Sequence, residues 1–268
     1  MNKRNPLSQT SSLAGVIEHR GILGTALGNL GTRIVGGEWS VGDAISKEAD
    51  LVDELNVSRS VIRETFRILG AKGLIRSRTS DGTRVQPRNQ WRLLDPDVME
   101  WRIKAGDTNS LLEDLLKVRI VLEPSVVYTA TSCANDEDRV RVEKAWEAKV
   151  KTFEDVNTPN SELRRNFIET DLDFHRAFIG AIRSELLDQL FSIIEAALEL
   201  LLDLQMKAAG YTVEMIGMDK SHELHEEVFN EFIAGNAAGA EIAMRELIKR
   251  AIEDAHQGFE LLKGNQSG

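Results

Sequence analysis

Between Leu111 and Leu262 apolar residues recur at the three- and four-residue spacing of a helix, and no stretch alternates like a half-buried strand. The pattern predicts helices over Leu111 to Ser132, Glu137 to Phe153, Glu162 to Ile182, Leu186 to Met206, Lys220 to Ala234 and Ala237 to Leu262. Breaks fall at Asn135-Asp136, Asn157-Thr158-Pro159, Arg183-Ser184, Gly210 and Gly235-Asn236, and Ser161 is placed to cap the helix that starts at Glu162. Six helices with short connections predict an all-α antiparallel bundle over residues 107–262, with a flexible tail at 263–268.

The front of the chain reads differently. Leu23, Leu27, Leu30 and Ile34 mark a first helix that Gly36-Gly37 stops. After a turn at Val41-Gly42-Asp43, Ser46 is a candidate cap for a short helix carrying Leu51, Val52 and Leu55. Asn56-Val57 turns the chain, and Ser58 starts a third helix with Val61, Ile62, Phe66 and Leu69 inward, ended by Lys72-Gly73. Gly73 to Ser77 and Thr83 to Val85 read as strands joined through Asp81-Gly82, a strong hairpin signal. Three helices and a hairpin over residues 20–88 form a winged helix-turn-helix, preceded by a flexible arm at 1–19 and followed by an aromatic-rich linker at 89–106. The fold class is therefore mainly α, in two domains.

With 42% hydrophobic and 28% charged residues the chain has the profile of a soluble globular protein. No run approaches the roughly 18 apolar residues of a membrane span, and Met1 to Ser12 lack the apolar stretch of a secretory signal. The lone Cys133 has no internal disulfide partner and reads as a small buried or half-buried residue, which fits a reducing cytoplasm. A net charge of −10 argues against nucleic acid until the chain is divided. Residues 1–90 hold 13 Lys and Arg against 9 Asp and Glu, and the remainder 20 against 34. DNA responds to the local field, and the small front domain is the basic one.

A recognition helix needs small hydroxyl residues and arginines at its N-terminal end, backed by an apolar face. Ser58-Arg59-Ser60-Val61-Ile62-Arg63-Glu64-Thr65-Phe66-Arg67 meets that need. Arg59 and Arg63 share a face away from the core, and a guanidinium fork suits guanine or phosphate. Ser58 can both cap the helix and reach a phosphate. Arg76, Arg78 and Arg84 around Gly82 suit a wing crossing the backbone.

Asp43 to Glu48, Leu51, Asn56-Val57-Ser58-Arg59-Ser60-Val61-Ile62-Arg63-Glu64, Leu69 and Lys72-Gly73-Leu74-Ile75 together resemble the winged helix of the GntR family of bacterial regulators. The resemblance implies DNA contacts from Ser58, Arg59, Ser60, Arg63 and the wing near Gly82, with Arg67 on the same helix. Many relatives carry an arginine where this chain has Ala49, so the resemblance does not extend to a phosphate or base contact at that position.

Further on, Asp171 and His175 lie four apart on one predicted helix, and His222 and His225 three apart on another. Spacing of this kind lets a carboxylate and imidazoles share a metal or a ligand; it equally describes solvated pairs on polar helix faces. His19 and His256 have no partners in the pattern and read as surface residues. Arg119 sits among Leu115, Leu116, Val118, Ile120 and Val121, where an unpaired cation is costly. Either Glu123, one turn on, pairs with it, or it clamps the carboxylate of a bound acid.

A GntR-type winged helix followed by six helices resembles the FadR subfamily with its FCD effector domain. Val118-Arg119, Leu122-Glu123, Asp171 with Phe174-His175, and His225 followed by Phe232 to Asn236 carry that resemblance. It implies a helical bundle that binds a small acid, with an Asp and three His holding a divalent metal, commonly zinc. Asp171, His175 and His225 match three of those ligands, and the fourth position is Leu247. The resemblance thus implies an effector site of Arg119, Asp171, His175 and His225, used either through a metal or by hydrogen bonds to the effector directly. The segment from Pro87 to Trp101 resembles a subgroup responding to sugar acids, which implies an effector such as D-galactonate. The expected protein is a cytoplasmic homodimer, a repressor released from a palindromic operator on double-stranded DNA by a small carboxylate. The rivals are a metal-dependent helical enzyme with an accessory DNA-binding domain and an architectural DNA-binding protein. No nucleophile or general base converges on the Asp171 set to favour the enzyme, and the architectural reading predicts a more basic chain.

Overall fold

A computed structural model of the chain describes residues 21–154, 160–208 and 218–265. The chain divides into two compact units, one up to Leu111 and one from Leu112. Expectations for the arm 1–19 with His19, for the Asn157-Thr158-Pro159 and Gly210 breaks and for residues 266–268 fall outside the described residues. None of the described helices is long and apolar enough to cross a membrane.

The N-terminal unit contains α1 (Gly21–Val35), α2 (Glu48–Leu55), α3 (Arg59–Ala71), the strands β1 (Ile75–Arg78) and β2 (Gly82–Val85), and α4 (Pro96–Lys104). α1 buries Leu27, Leu30 and Ile34 against α3, and Gly37 at φ +81° stops it. The expected cap Ser46 does not cap α2. The chain stays extended beside β2 through Ile45, whose N–H donates to the Thr83 carbonyl (2.9 Å), so Lys47 takes the N-cap position with no side-chain bond. Asn56, in the left-handed region at φ 51°, then turns the chain into α3. The Ser58 hydroxyl accepts the Val61 N–H there, as its position predicts.

The wing is antiparallel, with Ile75 opposite Val85 and Arg78 opposite Gly82. β1 starts two residues later than expected because Gly73 (φ +78°) closes α3 and the Leu74 N–H donates to the Leu69 carbonyl (3.0 Å). A Cβ on Gly73 would collide with the Gln90 carbonyl.

Residues 89–106, expected as a linker, fold into this same unit. Trp91 is buried and donates its indole N–H to the Gln86 carbonyl (2.8 Å). Asp95 caps α4, which packs on α1 and buries Val98 and Trp101 in the winged-helix core. Each such side chain contributes about 1.5–3 kcal/mol when taken from water, enough to make a free tether the costlier arrangement. Lys72, at the end of α3, fastens the segment through Asp95 and Asp97, both at 2.7 Å.

The C-terminal unit is built from α5 (Thr108–Cys133) beyond its first turn, α6 (Asp136–Glu154), α7 (Asn160–Ile182), α8 (Glu185–Ala208), α9 (Met218–Ile233) and α10 (Ala237–Asn265). The bounds lie close to the periodicity limits, although α10 takes up residues expected in the tail and Ser161 falls inside α7. α6 packs on α7 and α9, α7 on α8, and α9 on α10. Phe174, Phe178, Phe232, Val142, Trp146, Val228, Met244 and Leu247 lie in the shared core. α5 continues through Pro124, which lacks an N–H for the helix ladder. Cys133, expected buried or half-buried, is exposed, because it is the last residue of α5 and only its Sγ turns back, 3.7 Å from the Ala181 carbonyl.

Candidate functional site

Two features carry chemistry, one in each unit. In the first, α3 presents Arg59, Ser60, Arg63 and Arg67 to solvent while Ile62, Phe66 and Leu69 anchor its other side. Ser58 and Ser60 hydroxyls are 2.8 Å apart at the helix start. Arg63 Nε donates to Glu48 (3.1 Å) and Arg67 to Glu64 (2.6 Å), whereas no ion pair is formed by Arg59 among the described residues. Arg63, Arg67 and Arg76 line one groove between α3 and β1, so helix and wing present cations to the same side. At the wing tip Arg84 is held by Asp81 (2.7 Å) and by the Gly42 carbonyl (2.9 Å). Gly82, at φ +71°, has open space where a Cβ would stand.

In the second unit a polar cluster sits inside the bundle. α5 supplies Arg119 and Glu123, α6 Lys149, α7 Asp171 and His175, and α9 His225. Both readings of Arg119 drew on its burial, and the structure brings it to Glu123: Nε donates to Oε1 and Nη2 lies 3.3 Å from Oε2. Glu123 Oε2 is also 2.6 Å from His175 Nδ1. Burial alone would raise the Glu123 carboxyl, but the charge of Arg119 and then His175 holds it at about 2. Asp171 lies well below the usual carboxylate range: burial opposes this, and Lys149 and His225 outweigh it.

His225 donates its Nδ1–H to the Ser221 carbonyl (2.6 Å) and turns Nε2 to within 2.9 Å of Asp171 Oδ1. Burial and the Lys149 ammonium push its pKa down to about 4, so near neutrality Nε2 carries a lone pair. His175 Nε2 lies 3.8 Å from Asp171 Oδ2. His222, expected to share a face with His225, instead stacks on Phe153 (4.1 Å) and Trp146 (5.1 Å). His256 is exposed, as expected.

Three ligand atoms from Asp171, His175 and His225 lie within 4.8 Å of one another, and His225 Nε2 is fully buried with no hydrogen-bond partner, both features of a metal ligand set. Two observations weigh against a divalent ion. Leu247, which stands at the fourth ligand position that the resemblance implies, belongs to the apolar core. Lys149 Nζ, 2.8 Å from Asp171 Oδ1, already occupies the oxygen that His225 faces, with its side chain 1% exposed. A divalent ion on that oxygen would stand beside a buried like charge. The set does not fit a divalent metal.

Lys149 was not singled out from the sequence, yet its signal is there. Val142, Trp146 and Lys149 follow the four- and three-residue spacing of the buried face of α6, which places a lysine at a core position. Glu195 of α8 is a second such residue, buried against the cluster and paired with Arg176 (2.6 Å).

Residues 25–85 match the bacterial regulatory proteins of the gntR family, and residues 114–250 match the FCD domain. The Galactonate operon transcriptional repressor of Escherichia coli K12 is 34% identical over 161 residues, covering 60% of this chain and 67% of that one. The HTH-type transcriptional regulator LutR of Bacillus subtilis is 28% identical over 228 residues, covering 84% and 97%. Among solved structures, that of Lar, which controls expression of the Listeria monocytogenes agr system, aligns with a TM-score of 0.55 at 12% identity, covering 89% of this chain and 98% of that one, a likeness of fold alone. Regulators are thus what the winged helix and the helical bundle resemble, separately and together, which sets aside the enzyme reading. The chain belongs to the GntR family of bacterial DNA-binding transcriptional regulators and carries an FCD domain behind its winged helix.

Proposed function

We propose that this protein is a cytoplasmic homodimeric repressor of a sugar-acid catabolic operon, released from a palindromic operator when a small carboxylate such as D-galactonate binds inside the helical bundle. The observation that carries the reading is the buried cluster of Arg119, Asp171, His175 and His225, drawn from three helices with its charges paired internally. Burying charge is expensive, and a structural role alone would be met as well by apolar residues. The similarity to a galactonate operon repressor supports the choice of acid.

On the DNA side, Ser58, Arg59, Ser60, Arg63 and Arg67 meet base edges and phosphates in the major groove, and the wing at Gly82 tracks the backbone. Two such domains held at fixed spacing bind far more tightly than one, so a change in spacing is enough to release DNA. In the bundle, Arg119 takes the carboxylate of the acid by a forked pair of hydrogen bonds, exchanging part of its bond to Glu123. Asp171 accepts hydroxyl donors of the same molecule, and His175 and His225 orient it. Zinc was implied by the family; the misfit at Lys149 and Leu247 means that no step here runs through a metal. Arg119 and Glu123 sit on α5, which Ala105 to Asp107 join directly to α4 of the N-terminal unit. Re-pairing of Arg119 is thereby passed along one continuous stretch of backbone. Coupling of about 1–3 kcal/mol is sufficient for a 5- to 150-fold change in operator affinity.

A gel-shift titration of operator DNA with D-galactonate, other sugar acids and a neutral sugar tests the reading. Release by a sugar acid and not by the neutral sugar is expected. Failure of every acid to release the DNA, or consumption of the acid by the protein, overturns it.

A further inference from the structure

We propose that Lys149 is the resident cation of the ligand site, standing where a divalent ion would otherwise join Asp171 to His225, so that effector recognition is metal-independent. The inference rests on the reading of this cluster as the effector site.

Two groups converge on one oxygen of Asp171. His225 Nδ1 lies 2.6 Å from the Ser221 carbonyl, which turns Nε2 to within 2.9 Å of Asp171 Oδ1. A buried carboxylate oxygen needs a charge partner beside it. Lys149 Nζ, 2.8 Å from the same oxygen and itself 1% exposed, is that partner. Phe167 supports it from one side, its ring centroid 4.4 Å from Nζ. An ammonium can donate three hydrogen bonds, and only the one to Asp171 is made among the described residues.

Charge balance points the same way. Arg119 with Glu123, Lys149 with Asp171 and Arg176 with Glu195 are three pairs of opposite sign around His175 and His225. A divalent ion would leave an uncompensated double charge in the bundle, whereas the six side chains balance without one. The fourth ligand position, Leu247, is packed apolar core and offers no donor.

The arrangement also defines what the site takes. Among Arg119, Glu123, Lys149, Asp171, His175 and His225, Asp171 is the most exposed, its side chain at 20%. Its Oδ2 is not hydrogen-bonded among the described residues and lies 3.8 Å from His175 Nε2. A carboxylate whose charge is already balanced by a lysine accepts hydroxyl donors rather than binding an ion. The ligand class is therefore a polyhydroxy acid held by its hydroxyls at Asp171 and by its carboxylate at the cationic side of the cluster, with Lys149 as the positioning residue for Asp171.

The test compares full-length wild type, Lys149→Met and Lys149→Arg. Zinc uptake from zinc salt alone is measured by elemental analysis after dialysis, and operator release by D-galactonate is measured with and without a chelator. Melting temperature serves as the folding control. Wild type is expected to hold no stoichiometric zinc and to respond equally with and without chelator. Lys149→Met should need at least roughly tenfold more D-galactonate and should bind zinc at least roughly tenfold more tightly, because the repelling charge is gone; Lys149→Arg should keep the response. One equivalent of zinc in wild type, a chelator that abolishes its response, or a folded Lys149→Met that responds like wild type overturns the proposal. If Lys149→Met does not fold, zinc content and chelator sensitivity of wild type decide. If no acid releases wild type, the functional reading fails, and the zinc measurements still decide the role of Lys149.

Discussion

The indole of Trp101 lies against Gly31 so closely that a Cβ added to the glycine would meet Cδ2, Cε3 and Cε2, the last at 2.6 Å. α4 rests on α1 through this contact, and the ring is part of the winged-helix core. Gly31→Ala should therefore destabilise the N-terminal unit by about 1–3 kcal/mol, the usual range for overpacking. Gly28 of the same helix has open space around it and should behave oppositely, gaining up to about 1 kcal/mol as alanine. Urea denaturation of the two variants gives the comparison, and equal effects would mean that Trp101 does not bear on Gly31.

Lys72 ties the start of α4 to the end of α3 through Asp95 and Asp97, both at 2.7 Å, with its side chain 12% exposed. Lys72→Met should cost about 3–5 kcal/mol, because two carboxylates are left half-buried without their cation. Replacing Lys72, Asp95 and Asp97 together by apolar or neutral residues should cost less than that single change. A melting series over the variants checks the ordering.

The three arginines of α3 are not equivalent. Arg63 and Arg67 are engaged by Glu48 and Glu64. Arg59 carries no such pair among the described residues, so it reaches DNA without first breaking one. Arg59→Ala should weaken operator binding by about 1–3 kcal/mol and relax the preference at one base pair if it reads a base. If it holds a phosphate, the loss should be uniform across sequences and the salt dependence should flatten. Glu48→Gln should tighten binding by freeing Arg63. Fluorescence anisotropy at two salt concentrations separates these outcomes.

Stability should fall as pH drops below neutrality, in two stages. His225 has its pKa held at about 4 in the folded protein by burial and Lys149, against 6.5 for the free side chain. The unfolded chain therefore binds the proton first, and stability is lost from about pH 6.5 down to 4, by roughly 3 kcal/mol at most. Glu123, held at about 2 against 4.5, acts next. Its contribution is present above pH 4.5 and disappears between there and 2. His225→Gln should flatten the upper stage and leave the lower one. Thermal melts from pH 7.5 to about 2 on the wild type and this variant read both stages, and an unchanged upper stage would place its origin elsewhere.

Periodicity alone was enough to locate every helix of the bundle, because each is a local pattern of three- and four-residue spacing against one apolar interior. The Ser58 cap and the Asp81-Gly82 hairpin were legible for the same reason: a cap and a tight turn involve residues only a few positions apart. The segment 89–106 was not, since its aromatic residues could be placed only once α1 existed to bury them. The candidate site divides along the same line. Asp171 and His175 share one turn of helix and could be read as a pair, as could Arg119 and Glu123. That Lys149 of α6 and His225 of α9 converge on one oxygen of Asp171 was decided by tertiary packing. The charge on a buried group depends on which opposite charge lies within a few ångströms of it, and no local spacing in the chain encodes that.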